Sequence, residues 1–281
     1  MTENKKIKFI YFGTGFFSEA VLKNLLEKGV KPSYIITSPD RPQGRHQIII
    51  DGPIKKLAKE NNIPFLQPEK LKSEEFLNEF KNILDEDTIC VVCDYGKILP
   101  QVLLDLKTVD FINIHPSLLP DLRGPAPLQY TILQNKNNTG VTILQIDAEM
   151  DHGPITMQDQ KKFDEVSWPI SILELSDELA KLAAIMLITA LDRYENKQII
   201  YIQQNHPKAT YTKMIDKKDA EIFPDKESIE DIYRKYQAYK HWPEIFYINK
   251  DGKRVKIKKM DKGGVKRVIV EGKNESDFVG W

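Results

Sequence analysis

Cysteine is scarce in this 281-residue chain: there are two, Cys90 and Cys93. Their C-x-x-C spacing lies inside the apolar run 88–93, and no second pair or nearby His completes a zinc set. They read as buried thiols, and no metal is expected. Net charge is missing too. The 41 Lys plus Arg are matched by 41 Asp plus Glu, and 41% of residues are apolar, which excludes a disordered or fibrous chain. Long apolar runs are also lacking. The longest, Leu179 to Leu191, contains Lys181 and falls short of the roughly 20 residues that cross a bilayer. The polar stretch from Met1 to Lys6 holds no apolar signal core, so the cytoplasm is the expected address; separately, a monomer is the expected state. Repeats and low-complexity segments are absent. The length allows one large or two modest domains.

The neutral total hides an asymmetry. Residues 205–281 hold 18 basic and 13 acidic side chains, a net of +5, which leaves −5 on residues 1–204. Within the tail, Lys250 to Lys273 has ten basic and three acidic residues in strand-like sequence. Such a surface suits a polyanion, because each neutralised phosphate releases counterions. It equally suits a lysine-protected sheet edge.

Short apolar runs alternate with longer amphipathic ones over the first 200 or so residues, which predicts strands at 7–12, 33–37, 63–66, 88–93, 111–115, 140–146 and 155–159. Helices are expected at 18–27 with Ser18 as cap, at 53–61 behind Pro53, at 73–80 behind Ser73, and at 171–194. This pattern predicts an α/β fold, a Rossmann-like, mostly parallel sheet with helices on both faces and ligands beyond the carboxyl ends of its strands. The expected organisation is a catalytic domain at 1–203, a linker at 204–210 containing His206 and Pro207, and a small C-terminal domain at 211–281. The last has one helix, 228–239, and about three strands between Phe246 and Val270.

Gly13 and Gly15 close the first strand, but Ser18 replaces the third glycine of G-x-G-x-x-G, so the dinucleotide fingerprint is incomplete. The run 111–120, FINIHPSLLP, is more informative. In a strand, side chains two apart share a face, so Asn113 and His115 project together at the carboxyl end that Pro116 terminates. An amide donor can stabilise an oxyanion while the imidazole accepts a proton, a pairing suited to acyl transfer. The bland alternative is a turn-capping Asn beside a satisfied buried His. A third group must orient the ring, and the loop 147–153 offers Asp151, with Asp147, Glu149 and His152 as rivals.

These segments resemble the 10-formyltetrahydrofolate-dependent formyltransferases and, within them, the methionyl-tRNA formyltransferase branch. The resemblance is carried by 12–14 (FGT), 38–45 (SPDRPQGR), 95–100 (YGKILP), 113–129 (NIHPSLLPDLRGPAPLQ), 140–143 (GVTI), 150–155 (MDHGPI) and 241–243 (HWP). It implies that Asn113 and His115 polarise the formyl group of 10-formyltetrahydrofolate and that Asp151 assists proton removal from the attacking amine. It also implies a folate site lined by Ser117, Leu118, Leu119 and Pro120, with Tyr95, Gly96 and Ile98 against the pterin, and no metal. The implied acceptor is initiator methionyl-tRNA, contacted by Arg41, Arg45, Lys256, Lys258 and Lys259. The implied C-terminal domain is OB-like, a β-barrel that the short sequence after Trp242 reduces. Two rival readings stay open: a small amine or amino-sugar nucleotide as acceptor, or a catalytically silent nucleic-acid-binding relative.

Overall fold

The computed structural model describes residues 8–43, 48–85, 88–106 and 109–281. Its first strands are β1 (Phe9–Gly13), β2 (Tyr34–Ile36), the two-residue pair β3 (Pro42–Gln43) and β4 (Ile48–Ile49), and β5 (Phe65–Leu66). They are followed by β6 (Ile89–Cys93), β7 (Asp110–His115), β8 (Asn138–Gln145) and β9 (Ile155–Lys162). Seven of these form one sheet in the order β5-β2-β1-β6-β7-β8-β9. The five strands from β5 to β7 run parallel, while β8 and β9 are antiparallel additions. The mostly parallel α/β sheet read from the alternating pattern is therefore present. Its order changes direction at β1, which lies between β2 and β6, so the strand ends at Gly13, Cys93 and His115 flank the crevice such sheets use for ligands.

The helices are α1 (Phe16–Glu27), α2 (Pro53–Glu60), α3 (Glu74–Asn82), α4 (Gln101–Leu104), α5 (Pro127–Leu133), α6 (Ile172–Glu195) and α7 (Ile229–Tyr239). On one face, α1, α5 and α6 bury Tyr11, Val91, Ile112 and Ile114. Ala180, Ala183 and Ala184 of α6 are wholly buried, which lets α6 lie close against α1. Ser171 caps α6 through a reciprocal capping box with Glu174, a device whose removal costs about 1 kcal/mol. On the other face, α3 and α4 cover Ile10, Phe12, Val92 and Phe111. Asn113 and His115 share that second face but lie beyond its helices, where loops rather than helices close over them.

Ser18 is not the cap of α1. The helix begins at Phe16, and Ser18 is buried with its Oγ donating to the Tyr11 hydroxyl at 3.1 Å. The capping acceptor is Asp94, just past β6, whose carboxylate takes the N–H groups of Phe17 and Ser18. Its backbone carbonyl takes those of Thr14 and Gly15.

The second sheet holds β10 (Phe246–Ile248), β11 (Arg254–Asp261), β12 (Gly264–Val270) and β13 (Glu275–Asp277), antiparallel in chain order. Among the described residues its outer strands do not pair, so the reduced barrel takes the form of an open sheet, with α7 packed between β11 and α5. The segment 204–210, expected as a linker, is tied to the first sheet. Thr210 Oγ1 accepts from Leu122 N at 2.8 Å, its carbonyl accepts from Arg123 N at 2.9 Å, and Tyr211 bridges to Arg123. Gln204 of this segment is buried, while Asn205, His206, Lys208 and Thr210 are exposed.

Candidate active site

The site is built where β7 ends. Because β8 runs antiparallel to β7, the carboxyl end of β8 at Gln145 lies beside Ile112, not His115. The loop after it must therefore double back along β7 to bring Asp151 over the polar pair. It does so with Asp151 at φ 52, a left-handed conformation uncommon for a residue with a side chain.

The result is compact. Asn113 Nδ2 donates to Asp151 Oδ1 at 3.1 Å, and His115 Nδ1 lies 3.5 Å from the same oxygen. Asp151 Oδ2 accepts the N–H of Gly124 at 2.8 Å. His115 Nε2 sits 3.0 Å from the carbonyl of Leu122, which can only accept, so Nε2 carries the proton. The free basic position of a neutral ring is then Nδ1, facing Asp151. Asn113 keeps a second N–H that Asp151 does not use. Gly124 has φ 114, and a Cβ there would meet Thr212 Oγ1 at 2.7 Å, so this turn requires glycine.

The rivals for the third role are occupied. Asp147 accepts from His152 Nδ1 at 2.7 Å, and His152 stacks on His206 with centroids 4.1 Å apart. Glu149 is exposed. The loop 117–120 is fixed from beneath by Thr142 of β8, whose hydroxyl donates to the Ser117 carbonyl at 2.7 Å and accepts from Leu119 N at 3.1 Å. Ser117 is buried, Leu118 and Pro120 are half-buried, and Leu119 is packed with Leu144 and Ile155. On the neighbouring strand end, Tyr95 is buried with no partner for its hydroxyl among the described residues, while Gly96 and Ile98 are exposed, Ile98 by 84%. Burial raises the ionisation of the Tyr95 phenol and of both thiols, Cys90 and Cys93, so all three are neutral near pH 7.

Asp94 is the one strongly shifted carboxyl at this end of the sheet. The residue has an exposed side, but its carboxyl is pressed against Gly15, where a Cβ would meet Oδ2 at 1.8 Å. That desolvation raises it to about 6, against the opposing pull of the Phe17 and Ser18 N–H groups.

The basic residues singled out from the sequence stand apart from this centre. Arg41 is exposed, and Arg45 lies outside the described residues. On β11, a bulge keeps both Lys258 and Lys259 out of the core. Lys256 and Lys258 converge on Glu244, Lys256 at 2.9 Å. Burial pushes the Glu244 carboxyl up, but its hydrogen bonds from Lys258 and Lys256 outweigh this and hold it below its ordinary range. Lys259 is exposed, with no carboxylate within ion-pair distance among the described residues. Part of the basic stretch is therefore neutralised locally. No group of three or more His, Cys, Asp or Glu among the described residues could hold a metal ion. No helix among them is long and apolar enough to cross a membrane.

The family described as formyl transferase matches residues 5–191. A methionyl-tRNA formyltransferase of Caldicellulosiruptor saccharolyticus is 38% identical over 90% of this chain and 79% of its own length. The chain belongs to the methionyl-tRNA formyltransferase family. A second member of that family, from a Sulfurihydrogenibium species, is also 38% identical, over 85% of this chain and 76% of its own length. Among solved structures, the methionyl-tRNA formyltransferase of Clostridium thermocellum superposes with a TM-score of 0.61 at 17% identity, covering 98% of this chain and all of that one. A 4-N formyltransferase of Francisella tularensis gives 0.64 at 22% identity, over 89% of this chain and 96% of that one. At these identities both structures speak for the fold alone. Two buried residues beside this centre, Arg123 and Gln204, carry no role in the sequence patterns. Arg123 lies inside a segment quoted for the resemblance, next to Gly124, but its burial is not legible in the sequence.

Proposed function

We propose that the chain transfers a formyl group from 10-formyltetrahydrofolate to the α-amine of initiator methionyl-tRNA, with Asn113, His115 and Asp151 as its catalytic residues. The observation that carries this reading is the convergence of those three groups within 3.1 and 3.5 Å at the carboxyl end of β7. The donor supplies an activated one-carbon carbonyl, and the proposed pterin wall is the 95–100 turn, where Gly96 and Ile98 are exposed and Tyr95 is buried behind them against Phe12. Ser117, Leu118, Leu119 and Pro120 form the other proposed wall.

Each residue then has a distinct task. The unused N–H of Asn113 stabilises negative charge developing on the formyl oxygen. His115 Nδ1, with Asp151 opposite, takes the proton that the attacking amine must lose, and Nε2–H, anchored on Leu122, prevents the ring from flipping away. Asp151, held by Gly124, balances the charge this creates. The amine's new N–C bond forms first, giving a tetrahedral oxyanion; as the bond from the formyl carbon to the donor nitrogen then breaks, the proton taken by His115 passes to that nitrogen, so protons and electrons balance. Arg41, Arg45 and Lys259 are the proposed phosphate contacts, with Lys256 and Lys258 joining when released from Glu244. The chain acts as a monomer in this reading.

One observation favours a small acceptor instead. The pairing of Lys256 and Lys258 with Glu244 leaves β11 less positive than its sequence suggests, as an amino-sugar nucleotide enzyme would tolerate. The purified chain, incubated with 10-formyltetrahydrofolate and charged initiator tRNA, should yield formylmethionine. An amino-sugar nucleotide as sole productive acceptor would replace the tRNA reading, and no turnover with either would favour a silent relative.

A further inference from the structure

Three consecutive residues, Leu122, Arg123 and Gly124, each hold a different part of the site. Leu122 anchors His115, Gly124 anchors Asp151, and Arg123 points the other way into the molecule, 2% exposed. A buried guanidinium ordinarily has a carboxylate partner. Among the described residues Arg123 has none: Nε and Nη2 donate to Gln204 Oε1 at 3.2 and 2.7 Å, and Nη2 meets His206 Nδ1 at 2.9 Å.

Gln204, 6% exposed, uses its amide in full. Its Nε2 donates to the carbonyls of Asp151 at 2.9 Å and Gly153 at 2.8 Å. The orientation is forced, since a guanidinium only donates and a carbonyl only accepts. One side chain from a segment expected to be a linker therefore ties the backbone of Asp151, at φ 52, to the strand of loop that holds both Asp151 and His115. Left-handed aspartates persist where their surroundings determine them, and here the two carbonyl bonds from Gln204 do so.

We propose that Gln204 is a positioning residue for formyl transfer, an inference that rests on the reaction proposed above. By clamping the Asp151–Gly153 carbonyls onto Arg123, it sets the Asp151 carboxylate against Asn113 and His115.

The test uses a variant that separates holding the fold from placing the carboxylate. Gln204→Glu keeps an acceptor for Arg123 and gives the buried cation a counter-charge. It also replaces two N–H donors with oxygens that face two carbonyl oxygens. The counter-charge on Arg123 offsets only part of the cost of the two unpaired carbonyls, so the chain should stay folded with a moderately lowered melting temperature and, assayed well below it, show KM for both substrates within about threefold and kcat lower by about 10- to 100-fold, the effect of misplacing a catalytic group by an ångström or less. Gln204→Met, assayed well below its own lower melting temperature, should show the same kcat loss. A folded Gln204→Glu chain with kcat within about twofold of the parent overturns the proposal. NMR Cα and Cβ shifts of Asp151 in the full chain read the left-handed turn without any acceptor. If the parent chain does not formylate methionyl-tRNA, the acceptor reading fails and these shifts decide: movement in both variants sustains the positioning role, and superposition with the parent refutes it.

Discussion

Thr142→Val removes one hydroxyl from the middle of β8 and leaves the volume nearly unchanged. That hydroxyl is wholly buried and makes three hydrogen bonds: to the Ser117 carbonyl at 2.7 Å, from Leu119 N at 3.1 Å and from Gln158 Nε2 at 2.8 Å. Gln158 keeps its bond to the Leu119 carbonyl, so the valine orphans chiefly the Ser117 carbonyl and the Leu119 N–H. At about 1–3 kcal/mol for each of the two buried groups left unpaired, the variant should lose roughly 2–6 kcal/mol, with no cavity term. At about 2–4 °C per kcal/mol for a large chain, that corresponds to a drop of roughly 4–24 °C in melting temperature. Equilibrium denaturation of parent, Thr142→Val and Thr142→Ser measures it, with serine restoring most of the loss. The Ser117 N–H also bonds the His115 carbonyl, at 2.9 Å, so formyl transfer should fall along with stability. A loss below about 1 kcal/mol would show that the hydroxyl does not hold this loop.

Gly124→Ala combines a positive φ with a clash at Thr212; it should cost about 1–3 kcal/mol and lower kcat by displacing the N–H that holds Asp151 Oδ2, measured by denaturation and transfer assay. Asp94 gives a pH signature. Its folded ionisation near 6 lies above the ordinary 3.8, so its contribution is fully present below about pH 4 and is lost as the pH rises through 6. Relative to the parent, Asp94→Asn should therefore gain stability between pH 4 and pH 7, and melting curves that track each other across that window would contradict the assignment. Glu244→Gln should release Lys256 and Lys258, tightening binding to charged tRNA and steepening the plot of log affinity against log salt by up to about two counterions; an unchanged slope would remove β11 from the tRNA surface.

The parts of the fold readable in the sequence are those decided locally. β6 and β7 lie in runs of buried apolar residues, and Ser73 and Ser171 cap their helices as their positions suggest, because the acceptor and the amide it serves are three residues apart. The start of α1 was misread because its acceptor, Asp94, comes from far along the chain, and Ser18 is consumed by Tyr11. The same distinction applies at the site. Asn113 and His115 share a face by strand alternation alone. Which acid joins them depends on a loop reversing along an antiparallel strand, and spacing could not choose between Asp147 and Asp151. The bond between Arg123 and Gln204 spans 81 residues, and a glutamine among other polar residues carries no pattern that marks it.

The most direct test of the formyl-transfer centre is single-turnover kinetics of Asn113→Ala, His115→Ala and the double variant on 10-formyltetrahydrofolate and methionyl-tRNA, with folding checked by circular dichroism. On the proposed mechanism the two side chains act in one transition state, so each single variant should lose about 10²- to 10³-fold or more, and the double variant far less than the product of the two losses. Folded variants that transfer formyl at near-parent rates would contradict the account.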